Sequence, residues 1–376
     1  MKRFNPILFL LIFISVCNFL QAAVDSLPQN KTLKNPVGYT LRSHIGGIYK
    51  HTPAYSKIGS LNNTYASEIG IILPKRGTHN WHHAFNYPEV MFTLMYADFG
   101  SKYLGKGISA LANIQMDAIK TDAYSIYLRL GAGAAYITER FDSISNPQNE
   151  IIGSHINDVN KFGFGINVNF LPDWRFSGGF SVTHFSNGSV KKPNRGINLR
   201  SVELALSYIP TYEKIYTPLY TCNKKRKVGF QLKAGWGLTN QYEYPEKIFE
   251  VWSAALISSI FTGKYNSIQL GIGTEYNWYF HQLLNDNKTD FSSKSKEQIT
   301  IIIGDELLFG KTGINYQMHR VINNGMENDR WRTRMGLNYY FADIDIKRCS
   351  RAFAGIGLIS HKFTALYAEV CAGFVF

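Results

Sequence analysis

The chain is poor in several things. It has four cysteines in 376 residues. One of them, Cys17, falls in an N-terminal segment expected to be removed. The remaining three, Cys222, Cys349 and Cys371, cannot all pair within one chain. Their spacing matches no metal-binding cysteine pattern. A small disulfide scaffold and a zinc module are therefore both excluded. Acidic residues are also scarce, with 27 Asp and Glu against 40 Lys and Arg, and the formal charge is +13. No apolar run in the chain is long enough to cross a bilayer as a helix, which takes ~20 residues. No nucleic-acid-binding motif accompanies the basic charge, so a nucleic-acid partner is not expected. Gly131-Ala-Gly133 lacks the third glycine and the βαβ setting of a dinucleotide site.

The N-terminus reads as an export signal. Lys2 and Arg3 precede an apolar run from Ile7 to Leu20, and Ala22 and Ala23 follow. That charged, apolar, small-residue order predicts a signal peptide over residues 1–23, cleaved near Ala22/Ala23. The run is too short for a membrane anchor. For an exported protein, excess positive charge points to anionic lipid or polysaccharide.

What the chain has in quantity is aromatics, at 14%, and glycine, 32 residues. The dominant pattern has period two. From Val228 to Leu238, Val228, Phe230, Leu232, Ala234, Trp236 and Leu238 alternate with small or polar residues. Ile268–Trp278 and Tyr124–Tyr136 do the same. The alternating segments run to about 11–16 residues, longer than soluble strands and right for tilted strands in a bilayer. The chain stops at Phe376, after a face built from Leu366, Ala368, Val370, Ala372 and Phe374. The pattern predicts an all-β fold, an antiparallel transmembrane β-barrel. Sixteen strands are expected near 38–50, 64–73, 86–98, 106–119, 123–138, 160–170, 174–186, 198–208, 226–239, 248–261, 264–280, 296–308, 311–321, 330–342, 350–360 and 363–376.

Residues 209–227 interrupt the pattern with Pro210, Pro218 and the run Lys224–Lys227. Two architectures follow: one barrel of about 14–16 strands with a long turn here, or two eight-stranded units with a linker. The single barrel is preferred, because tandem closed barrels are uncommon and closure alone removes sheet edges. Either way, residues 24–210 and 211–376 form two halves.

The stretch 183–198, THFSNGSVKKPNRGIN, carries the chemistry. On the strand 174–186, Trp174, Phe176, Phe180 and Val182 share a lipid-facing row with His184 and Ser186. A histidine and a serine at the end of such a row are poorly explained by stability. On the strand 198–208, Asn198 and Arg200 lie on the lipid-facing row, and Glu203 faces the lumen. Parity therefore selects Asn198, not Glu203, as the third member of a base–hydroxyl set. A serine beside a base can become a nucleophile. An amide oxygen can orient the imidazole. Asn187 or the Gly188 N–H would serve an oxyanion or positioning role.

At these residues the chain resembles the lipid A 3-O-deacylases, β-barrel esterases of the bacterial outer membrane. Their pattern reads His, aromatic, Ser, Asn, then a loop with Lys, Pro and Asn-x-Gly-Ile, then Glu. His184, Phe185, Ser186, Asn187, Lys191, Pro193, Asn194, Gly196 and Ile197 fall at the same spacing. The resemblance implies His184 as base, Ser186 as nucleophile and no cofactor or metal. It departs at Asn198, where the pattern is acidic. It covers the first half, whose eight strands match the family's barrel, and the second half is additional. Lys191, Lys192, Arg195 and Arg200 would then meet lipid A phosphates in the outer leaflet. A non-catalytic porin or surface-binding barrel and a phospholipase are the competing readings. Nothing fixes an oligomeric state.

Three further features stand outside this pattern. His79, His82 and His83 around Trp81 read either as a metal site or, preferably, as an aromatic turn. HRVINNG at 319–325 echoes HFSNG without its serine, and no chemistry is assigned to it. Strand parity puts Cys222 and Cys349 on one side of a single barrel, which predicts that any native disulfide joins them.

Overall fold

The computed structural model describes residues 36–216, 228–240, 247–263, 265–285, 297–323, 331–342, 351–361 and 364–376. The signal segment, Cys222 and Cys349 lie outside them, and so does the expected disulfide. Among the described residues there are sixteen antiparallel strands, and they close as two eight-stranded barrels. The first contains β1 (Gly38–Ile48), β2 (Thr64–Pro74), β3 (Glu89–Asp98), β4 (Lys106–Lys120), β5 (Tyr124–Ile137), β6 (Ile156–Leu171), β7 (Trp174–Ser186) and β8 (Ile197–Tyr208). The second contains β9 (Val228–Asn240), β10 (Ile248–Phe261), β11 (Asn266–Asn277), β12 (Glu297–Phe309), β13 (Thr312–Val321), β14 (Trp331–Tyr340), β15 (Arg351–His361) and β16 (Thr364–Val375).

The expected strands are there, but they form the paired arrangement instead of the single barrel. The physical reason lies in the lumens. Eight strands leave an interior just wide enough for side chains to fill. In the first barrel, Arg42 on β1 and Arg129 on β5 both reach Glu203 on β8, at 2.8 and 2.7 Å. Tyr127 donates to the same carboxylate at 3.0 Å. Lys161 pairs with Glu68, and Arg175 with Glu89 at 2.7 Å. In the second, Arg334 and Lys233 converge on Glu369 at 2.7 and 2.9 Å, and Arg332 meets Glu275 at 2.9 Å. These buried ions need partners across a narrow lumen, since an unpaired buried charge is costly. A sixteen-stranded lumen would hold strands such as β1 and β5 too far apart to share one carboxylate.

Backbone pairing seals each ring. Tyr39 of β1 pairs with Tyr208 of β8, and Leu232 of β9 with Phe374 of β16. The outward rows are apolar and exposed: Leu41, Ile69, Leu94, Phe164 and Phe180 on the first barrel, Leu232, Trp252, Ile272, Ile303 and Phe374 on the second. Polar inside and apolar outside is the pattern of a membrane barrel.

The barrels touch at both ends. At one end, Asn240 N–H donates to the Ser189 carbonyl at 2.8 Å. At the other, the short helix α1 (Asn80–Ala84) sets Trp81 edge-on to Phe309, and Phe85 lies 4.4 Å from the same ring. The histidine stretch is therefore a packing element. His82 Nδ1 accepts from the Gly77 and His79 amides, and burial pushes its pKa down to about 2, so it is neutral. The connection after β8 is tied to the first barrel. Ile215 N–H donates to the Arg76 carbonyl, and Thr211 N–H to Asp173 at 2.7 Å.

Candidate active site

The site sits on the outer wall where β6, β7 and β8 end. Register sets its members side by side: His184 is paired with Asn198 on one flank and Asn160 on the other, and Ser186 with Asp158. Alternation points all five outward, away from the ion pairs of the lumen. Glu203 is fully buried inside, bound to Arg42, Arg129 and Tyr127.

His184 Nδ1 lies 2.6 Å from Asn198 Oδ1. An amide oxygen only accepts, so the proton belongs on Nδ1 and leaves Nε2 with its lone pair. That is the tautomer a general base requires. Gly196 explains why the motif needs glycine there. Its φ is +77°, and an added Cβ would stand 2.5 Å from His184 Cε1. The imidazole thus rests on a bare backbone that also turns left-handed.

Ser186 is buried. Its hydroxyl donates to Asp158 Oδ1 at 2.7 Å, and Asp158 Oδ2 accepts from Asn160 at 2.8 Å. Among the described residues no hydrogen bond joins His184 to Ser186. Asp158 was missed in the sequence. The signal was available, because Asp158 and Asn160 interrupt the outward row of Ile156, Phe162 and Phe164, as His184 and Ser186 interrupt theirs. What could not be read was the register that sets β6 against β7.

The loop after Ser186 is highly constrained. Gly188 and Ser189 both have positive φ, at 62° and 65°. A Cβ on Gly188 would lie 2.9 Å from Ala368 of the second barrel. Asn187 Nδ2 donates to Ser154 Oγ at 2.7 Å and to the Lys191 carbonyl at 2.8 Å, so its amide braces the loop. Asn194 is a different matter. Its Oδ1 accepts from the Asn187 N–H at 3.1 Å, while its Nδ2 is buried with no partner among the described residues. A buried unpaired donor in the loop that follows Ser186 calls for an explanation. The sequence marked Asn194 as part of the motif without a role.

Of the basic residues, Arg200 is exposed on the outward row two positions from Asn198, with its guanidinium 4.9 Å from the Tyr49 ring. Arg195 is exposed in the loop, and Lys191 and Lys192 are half-buried beside it. All four lie within or next to the stretch that carries the site.

No curated protein matches the chain in a sequence comparison. Among solved structures, the outer membrane enzyme PagL is 15% identical with a TM-score of 0.33, covering 44% of this chain and 97% of that one. Neisserial surface protein A is 13% identical with a TM-score of 0.31, covering 48% and 100%. The siderophore receptor PirA from Pseudomonas aeruginosa is 10% identical with a TM-score of 0.24, covering 92% and 62%. Residues 69–207, from within β2 to the end of β8, match the model of the lipid A 3-O-deacylase (PagL) family, and the second barrel lies outside that match.

Proposed function

We propose that the first barrel is an outer-membrane serine esterase that removes ester-linked acyl chains from lipid A. The observation that carries this reading is the His184–Asn198 bond beside Ser186 on a lipid-facing wall. A polar cluster on that wall has little stabilising purpose, and a substrate that is itself a lipid reaches it by lateral diffusion. The family match over the same residues supports the substrate class.

In this mechanism Ser186 Oγ attacks the ester carbonyl, and its proton passes to His184 Nε2. Hydrogen bonds between base and nucleophile commonly tighten only once substrate is bound. The serine hydroxyl then exchanges Asp158 for His184. The developing oxyanion takes the unpaired Asn194 Nδ2 and the Gly188 N–H as donors. His184 returns its proton to the departing sugar oxygen, which leaves as a hydroxyl. Water, deprotonated by the same imidazole, resolves the acyl-enzyme. Asp158 answers the difficulty raised by Asn198. An amide orients an imidazole but cannot stabilise the imidazolium. A carboxylate bonded to Ser186 supplies the negative charge from the opposite flank. Arg195, Arg200, Lys191 and Lys192 would hold lipid A phosphates. This chemistry requires no metal or cofactor.

The test is covalent capture. A lipophilic fluorophosphonate incubated with the detergent-solubilised protein should label the peptide containing Ser186, and His184→Ala should suppress the labelling. Labelling elsewhere, or none, would remove Ser186 as the nucleophile.

A further inference from the structure

Asn198 poses a problem that the acidic residue at this point of the family pattern would not. A carboxylate accepts through either oxygen. A side-chain amide has one accepting end and one donating end. If the Asn198 amide turned over, Nδ2 would face His184 Nδ1, and the imidazole would be driven to the tautomer that presents no lone pair to Ser186. Something must therefore hold the amide with Oδ1 toward His184.

The loop between β1 and β2 supplies it. His51 Nδ1 lies 3.1 Å from Asn198 Nδ2, on the side of the amide away from His184. His51 Nε2 lies 2.9 Å from the Arg195 carbonyl. A carbonyl only accepts, so the His51 proton belongs on Nε2, and Nδ1 of the neutral ring is an acceptor. It can then receive only the NH2 end of Asn198. The same Nδ1 is 3.1 Å from the Tyr49 carbonyl, a contact that only a protonated Nδ1 could use. The neutral ring serves Asn198.

The loop is built to keep the ring there. His51 stacks on Tyr49 with centroids 6.1 Å apart and meets the edge of Tyr55 at 5.7 Å. Tyr55 is buried, and its hydroxyl donates to the Gly196 carbonyl at 2.9 Å. Tyr49 N–H donates to the Asn198 carbonyl at 2.8 Å. The Arg195–Asn198 segment is thus gripped by the loop that carries His51.

We infer that His51 is a positioning residue: it fixes the orientation of the Asn198 amide and, through it, the tautomer of His184. The chain runs Arg195 carbonyl, His51, Asn198, His184, with a donor facing an acceptor at every step. The inference rests on the esterase reading for its kinetic consequences, but not for its tautomeric one.

The experiment uses the full chain in detergent with lipid A as substrate, in a cycle of His51→Ala with Asn198→Glu. An oriented hydrogen bond worth about 1.4 kcal/mol corresponds to tenfold in rate, so His51→Ala should lower kcat by roughly tenfold, with KM within about twofold. His51→Gln, which keeps an acceptor and a donor, should restore most of the loss. In the Asn198→Glu background, His51→Ala should cost less than about threefold, because a carboxylate needs no orienting partner. An equal loss in both backgrounds, or wild-type kcat in His51→Ala, would overturn the inference. Nitrogen-15 NMR of labelled histidine reads the second consequence without any turnover. His184 should be protonated on Nδ1 in the wild type and show a mixture of tautomers in His51→Ala. An unchanged His184 tautomer would also overturn the inference. If the wild type released no acyl chain while the tautomer shifted as expected, the esterase reading would fail and the role of His51 would stand.

Discussion

The two barrels are built alike and equipped differently. Each has eight antiparallel strands, a lumen filled by paired ions and an apolar outer wall. Their seventh strands, β7 and β15, differ on that wall. β7 ends with His184 and Ser186 facing out, opposite Asp158 and Asn198. β15 turns out Leu358 before Ser360, whose hydroxyl shares a 2.7 Å hydrogen bond with Thr333. The histidine of the second barrel's echo, His319, points into the lumen, with Nε2 3.2 Å from Gln317. One residue of strand parity separates a catalytic candidate from a structural side chain. Closure into eight strands is thus a scaffold in both halves. Function resides in which polar groups the outer rows tolerate.

The sharpest test of the contrast removes the proposed nucleophile and the proposed base. Ser186→Ala and His184→Ala should each lower lipid A deacylation on the order of 10^4-fold or more with the barrel still folded, because neither side chain enters the lumen. Ser360→Ala and His319→Ala should leave turnover unchanged. Equal losses in the two barrels, measured as acyl release, would break the comparison.

The flanking residues come next. Asp158→Asn and Asn198→Ala should each reduce kcat by roughly 10^2-fold, the scale of a lost charge or orienting group around an imidazole. Glu203→Gln should behave in the opposite way. Turnover per folded molecule should be nearly kept, while stability falls by about 3–5 kcal/mol, since Arg42 and Arg129 lose the charge they share. Parallel denaturant titrations and kinetics separate the two. If Glu203→Gln abolished turnover in a fully folded protein, the assignment of faces in β8 would be wrong.

Gly196→Ala should cost roughly tenfold in kcat, because the new methyl meets His184 and the residue must hold a positive φ. The smallest effect crosses between the barrels. Asn240→Pro removes the N–H that holds the Ser189 carbonyl, and about a threefold loss is expected from one hydrogen bond that only braces the loop. Asn240→Ala keeps that N–H and should be near neutral. A larger loss in Asn240→Pro would mean that the second barrel shapes the site more than its own equipment suggests.

Much of this was legible in the chain, and for identifiable reasons. Period-two alternation depends on local sequence alone, so all sixteen strands and both faces of β7 and β8 could be read, including the inward Glu203 and outward Asn198. The number of rings could not. It depends on which distant charges meet across a lumen, and Arg129 meeting Glu203 is a contact between residues 74 positions apart. Asp158 stayed hidden because an irregularity between Asn169 and Leu171 shifts the register of the tight β6–β7 hairpin by one residue. His51 was invisible because its partner Asn198 is 147 positions away.

The most direct test is mass spectrometry of lipid A from cells that make the wild-type protein or Ser186→Ala. Wild-type cells should yield lipid A lighter by one ester-linked acyl chain, and Ser186→Ala cells should yield the unmodified species at equal protein level. Identical spectra from the two would contradict the claim that the outer wall of the first barrel is an esterase site.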